Sequence, residues 1–156
     1  MTSEQMQKLE KFIGSWAGTE DISHTLWRNR SSNVTAIRID NRMAIGGKFL
    51  IQDYIQEYLG AIRYQWHAVV GWNPGHRCFT MHLFDSAGLV LDPPLLGNFE
   101  EEVLTLHHRG RMGHFLVMHH ILETGDYALR VDVSPDEGKW YTAIEGHYAR
   151  VEEKGI

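Results

Sequence analysis

The chain holds a single cysteine, Cys78, among 156 residues. A lone thiol excludes an internal disulfide and any metal site built from several cysteines. Prolines number only four, and all fall in turn-like stretches, where no ladder donor is lost. No apolar run approaches the ~20 residues of a membrane span. Positive charge is the scarcer sign, with 15 Lys and Arg against 20 Asp and Glu and a formal net charge of −5. No basic stretch is dense enough to follow a phosphate backbone, so the expected partners include neither nucleic acid nor membrane. The opening MTSEQMQKLEKF is polar and lacks the apolar core of a signal peptide. These absences together point to a reducing, cytoplasmic compartment.

What remains is an ordinary globular balance, with 43% hydrophobic and 22% charged residues. The length suits one domain over residues 1–156. Thr2-x-x-Gln5 resembles a capping box. Met6, Leu9 and Ile13 then recur at helical spacing beside Phe12, and Gly14 ends the pattern. One helix is predicted over residues 3–13. Turn signals follow at short intervals, among them Gly46-Gly47, Asn73-Pro74-Gly75, Asp92-Pro93-Pro94 and Thr124-Gly125-Asp126. The β-rich segments between them number about nine or ten. Tyr127, Leu129, Val131 and Val133 share one strand face, and Trp140, Thr142 and Ile144 share another. Residues 48–59 alternate less cleanly, as a barrel with a partly polar, aromatic interior would require. The fold class is therefore all-β, a single antiparallel barrel with a short N-terminal helix.

Phe12-Ile13-Gly14-Ser15-Trp16-Ala17-Gly18-Thr19 resembles the start of a bacterial family of lipocalin-like, calycin-type domains of unknown function. Ala44–Leu50, Val70–Pro74, Phe84–Gly88 and Glu145–Arg150 resemble later pieces of that family, in the same order. The family is distantly similar to nitrobindins and fatty-acid-binding proteins. The resemblance implies a calycin barrel capped by the helix and enclosing a pocket, with no established reaction. It also implies that Trp16 packs at the closed end under Arg150 of the last strand, a cation–π contact of about 0.5–2 kcal/mol.

Ten histidines are a rich supply. His107-His108 and His119-His120 are adjacent on predicted strands, so each pair divides between opposite faces. A tight turn at Gly110-Arg111 sets His107 opposite His114, but that hairpin supplies too few ligands for zinc. No metal site and no cofactor are expected, and most histidines read as surface or polar-lining groups. The resemblance to nitrobindins, which hold haem through a last-strand histidine, places Glu145 at the ligand position, with His147 two residues on and on the same face.

Acid–base chemistry needs a cavity histidine beside a carboxylate. His67, His82 and His119 are candidate bases, and Asp53, Glu57 and Glu145 candidate partners, with His82, His119 and Glu145 foremost. Gly-x-Ser-x-Gly and phosphate-cradling glycine loops are absent. The aromatic supply suits a binding pocket better, with Gln52, Tyr54, Trp66, His82 and Trp140 as the expected lining. Residues 89–96 form an unusually apolar connection, a lid over the barrel mouth or a contact between two copies. The expected function is binding of a small, largely apolar or aromatic molecule. The alternatives are cofactor-free isomerase or cyclase chemistry in the same cavity, and haem or metal binding through histidines.

Overall fold

The computed structural model describes residues 3–21, 34–111 and 113–151. A four-residue α-helix, α1 (Glu4–Gln7), leads into a single 3-10 turn at Glu10–Phe12. The strands are β1 (Gly14–Asp21), β2 (Val34–Ala44), β3 (Phe49–Tyr58), β4 (Ala61–Asn73), β5 (Cys78–Asp85), β6 (Leu95–Glu100), β7 (Val103–Gly110), β8 (Gly113–Ile121), β9 (Tyr127–Ser134) and β10 (Tyr141–Arg150). Each strand pairs antiparallel with the next, and β1 pairs with β10. The result is a closed ten-stranded barrel, which leaves no open sheet edge.

Local sequence explains several of these joints. The β3–β4 hairpin turns through Leu59 and Gly60, at φ 52° and 80°, a two-residue turn of the kind whose twist matches the flanking strands. The β4–β5 turn is held by Asn73, whose side-chain oxygen accepts from the amides of Gly75 and His76. Strand β6 has no counterpart in the sequence reading, which treats Leu95 and Leu96 as part of an apolar loop. It pairs with β5 over only three residue pairs. Gly97 allows it to press against β7, because a Cβ there would collide with the Thr105 carbonyl.

The N-terminal segment departs from the single helix expected over residues 3–13. Its buried residues are Met6, Leu9 and Phe12, a spacing of three that suits a 3-10 turn rather than a continuing α-helix. Ser3, not Thr2, is the cap, and its hydroxyl accepts from the Met6 amide; Thr2 lies outside the described residues. Ile13 is already extended. These three side chains plug one end of the barrel. Lys11 ties the plug to the β6–β7 turn through Glu102 at 3.0 Å.

Trp16 is fully buried at this end, and its indole donates to the Phe12 carbonyl at 3.0 Å. Arg150 faces it across the β1–β10 ladder and lies 4.2 Å from its ring centre. The same guanidinium donates to the Ile13 carbonyl at 2.6 Å. The Arg150–Trp16 pairing implied by the family resemblance is thus in place. Gly14 sits at φ 132°, a conformation that L side chains rarely adopt, and gives up the space the guanidinium fills.

Candidate functional site

The two ends of the barrel are built differently, and a cavity of about 650 Å³ occupies the end away from the helix. Its walls come from β4, β5, β8, β9 and β10 and from the β5–β6 connection. Trp66, Leu83, Phe115, Val117, Val131 and Ile144 are among its apolar lining. The connection contributes Leu89 and Leu91, turned inward, while Val90 and Leu96 face out. Backbone bonds hold it there, from the Asp85 amide to the Leu89 carbonyl and from the Leu91 amide to the Leu83 carbonyl. His108 adds a third restraint. Its Nδ1 lies 2.7 Å from the Pro93 carbonyl, an acceptor only, so that nitrogen carries the proton.

Polar groups at the cavity are few. Tyr64 donates to Asp85 at 2.9 Å. The other Asp85 oxygen accepts from the amides of Ala87 and Leu89. This carboxylate is engaged in shaping the turn. Burial, followed by the neighbouring Asp85 charge, raises the Tyr64 pKa, so the phenol stays neutral.

Beneath the cavity a polar network crosses the barrel. The Trp66 indole, on the cavity wall, donates to Gln52 Oε1 at 2.9 Å. Gln52 Nε2 donates to Asn41 and to the Tyr127 oxygen, both at 3.1 Å. Asn41 in turn donates to the Phe12 carbonyl at 2.9 Å. His119 Nδ1 lies 2.5 Å from the Tyr127 hydroxyl. The His119 tautomer sets whether the phenol or the imidazole donates across this contact. His119 is buried, and desolvation lowers its pKa to about 4, so it is neutral near pH 7. Tyr127 shifts upward through burial and is neutral as well.

The residues expected at the site divide sharply. Gln52, Tyr54, Trp66 and His119 point inward and come together. Tyr54 stacks on Trp66 with ring centres 3.9 Å apart. Of these four, Trp66 lies on the cavity wall, and the others sit below it. His82 is placed on the outside, because β5 turns Phe79, Met81 and Leu83 inward and leaves His82 exposed. Glu145 is also on the outer face. Trp140 precedes β10 and meets His107 edge-on, off the cavity wall. The reason is a register shift between Thr142 and Ile144. It buries Ala143 and Ile144 in succession and breaks the alternation that grouped Trp140 with Ile144.

Histidine–carboxylate pairs exist, but on the outer surface. His67 meets Asp53 at 2.7 Å, His147 meets Asp126 at 2.9 Å, and His107 and His114 both face Glu137. Glu57 is exposed. Among the described residues, neither buried histidine has a carboxylate within ion-pair distance. Glu145 and His147 both face outward, so neither of the two last-strand candidates for a haem ligand points to the interior.

The wall residues that sequence reasoning passed over are mostly aliphatic. Val131 and Val133 were visible as one face of β9, and that face does point inward. Leu83 and Val117 carried no signal distinguishing a cavity wall from a filled core, whereas Leu89 and Leu91 belong to the apolar connection that the sequence offered as a lid over the mouth or a contact between copies.

No curated protein matches the chain. No helix among the described residues is long and apolar enough to cross a membrane. The sequence model of a family described as "Protein of unknown function (DUF1579)" matches residues 2–150, nearly the whole barrel, and the chain belongs to that family.

Proposed function

We propose that this barrel binds a small, largely apolar organic molecule in the cavity at its open end, in the manner of calycin-type carriers. The observation that carries the reading is the cavity itself, about 650 Å³ and walled by Trp66, Phe115 and branched aliphatic side chains. Ligand pockets run roughly 300–1,000 Å³, with mainly apolar walls and a few convergent polar groups. Tyr64 and Ser134 are hydroxyl groups on the wall that can orient a ligand. Burying a flat aromatic or branched ligand against such walls gains about 25 cal/mol for each Å² of apolar surface removed from water.

Binding fits this interior better than acid–base catalysis does. His119 is neutral, hydrogen-bonded to Tyr127 and without a carboxylate partner. Asp85 is committed to the turn that positions Leu89.

Titration with the apolar dye Nile red tests the reading, followed by its fluorescence. One saturable site per chain is expected. Val117→Trp, which places an indole inside the cavity, should weaken binding more than tenfold in a chain that still melts cooperatively. Equal binding by the folded variant would overturn the assignment to the cavity.

A further inference from the structure

Three side chains meet on the outer face of the barrel, beside the cavity mouth. His107 comes from β7, His114 from β8 and Glu137 from the β9–β10 connection. His107 Nε2 lies 3.5 Å from Glu137 Oε1, and His114 Nδ1 lies 3.7 Å from the same oxygen. One ligand atom from each residue lies within 4.8 Å of the other two. Both histidine side chains are about four-fifths buried, with 22% and 19% exposure. The two facing nitrogens are shut off from solvent and make no hydrogen bond.

That last feature needs a physical account. A buried ring nitrogen without a partner costs roughly 1–3 kcal/mol. Here two such nitrogens point at one carboxylate oxygen from beyond hydrogen-bonding distance. A cation at their common focus would satisfy all three groups at once.

We infer that His107, His114 and Glu137 form a binding site for a divalent transition metal, zinc being the best fit to the donor set. Metal–ligand bonds of about 2.0–2.2 Å in a tetrahedron put donors about 3.3–3.5 Å apart. Two sides of the present triangle, at 3.5 and 3.7 Å, are close to that, and the third lies within 4.8 Å. Two imidazoles and one carboxylate suit zinc, nickel, cobalt or copper, whereas magnesium and calcium prefer all-oxygen shells. Three protein donors leave a coordination position for water.

The loop carrying Glu137 is fixed before any metal arrives. The Glu137 amide donates to Ser134 Oγ at 2.9 Å, and the Gly138 amide to Asp136 at 2.8 Å. Glu137 itself is held at φ 67°. Arg109 is the competitor. Its Nε donates to Glu137 Oε1 at 2.7 Å and holds the Glu137 pKa below the usual carboxylate range. This arginine is 63% exposed, free to swing aside when a dication takes the oxygen. It serves as the counter-charge of the metal-free state. The hairpin pair His107 and His114 is visible in the sequence; the third donor is not, because Glu137 is brought in by a loop more than twenty residues on.

The test uses the full chain, untagged and stripped of metal with chelator, and reads zinc binding by calorimetry. One zinc per chain is expected, with magnesium giving no heat. His107→Ala, His114→Ala and Glu137→Gln should each weaken zinc binding at least tenfold, with folding checked by melting in chelator. His67→Ala, which removes a two-member surface pair with Asp53, should leave it unchanged. Arg109→Gln should tighten it several-fold. Copper should quench tryptophan fluorescence in the wild type and much less in Trp140→Phe, since the Trp140 ring centre lies 5.7 Å from that of His107. Absence of stoichiometric zinc, or equal affinity in the three ligand variants, would overturn the site. Unchanged or weaker binding by Arg109→Gln would overturn the competing role of the arginine.

Discussion

The helix end and the cavity end of this barrel share the same ten strands and differ in what fills them. At the helix end, Phe12, Trp16, Tyr127 and Tyr148 meet edge-on or tilted, with Trp16 and Tyr127 ring centres 5.4 Å apart. Hydrogen bonds from Trp16 and Asn41 converge on one carbonyl, that of Phe12. At the other end Trp66 and Phe115 stand among smaller, branched side chains, and space remains between them. The difference teaches where this fold keeps its stability and where it keeps its freedom. Aromatic rings with a polar edge fill volume and satisfy buried donors together. Aliphatic walls leave a hollow that costs little once the strands around it are closed by hydrogen bonds.

The largest effect that can break this contrast belongs to Trp16. Its side chain is fully buried, bonded to Phe12 and covered by Arg150. Trp16→Ala should destabilise the fold by about 3–5 kcal/mol in denaturant unfolding. A change near zero would mean that the plugged end is not the stable one.

His119 gives the next largest effect, as a dependence on pH. Its pKa falls from 6.5 to about 4 on burial. The folded state therefore binds fewer protons than the unfolded chain between these values. Stability from this residue is complete above pH 6.5 and is lost as pH falls toward 4, by about 3 kcal/mol over that window. His119→Gln should flatten this part of the stability–pH curve. An unchanged slope in the variant would assign the acid sensitivity to other groups.

Tyr127→Phe follows. It removes the hydroxyl that serves both Gln52 and His119. Gln52 Nε2 keeps Asn41, but His119 Nδ1 loses its partner in a buried place. The expected cost is about 1–3 kcal/mol, measured at neutral pH. A neutral result would show that the network is supplied with water from the cavity side.

These same residues show how much was legible beforehand. Gly14-Ser15-Trp16 pointed to the closed end only through the family resemblance, and there the glycine yields space and the tryptophan is fully buried. The inward face of β9 was legible from alternation of period two, which places Val131 with Val133, whereas β3 alternates less cleanly and its Gln52 and Tyr54 were expected inside as a polar, aromatic lining. Trp140 was misread, because the register shift near Thr142 reverses which face is inside and no single residue marks it. His82 and Glu145 looked suitable by residue type, but strand parity puts them on the outer surface. The cavity was legible only as a consequence of the barrel, since Leu83 or Val117 looks the same whether it touches another side chain or a hollow. Glu137 was invisible for a further reason: loop geometry, not periodicity, carries it to His107 and His114.

The smallest expected change in stability is also the sharpest test of the contrast between the two ends. Ala143 is buried on the cavity wall, just before the register shift of β10. Ala143→Phe adds a ring where there is vacant space rather than neighbouring atoms. Overpacking in a filled core costs about 1–3 kcal/mol; here the ring removes apolar surface from water instead. Stability should therefore move by less than about 1 kcal/mol, while Nile red binding falls more than tenfold. If stability drops as it would in a close-packed core, the open end is as filled as the plugged one. If stability holds and binding is lost, the hollow is a feature the fold sustains at little cost, and the strands around it are held by their ladders and by the packing at the other end.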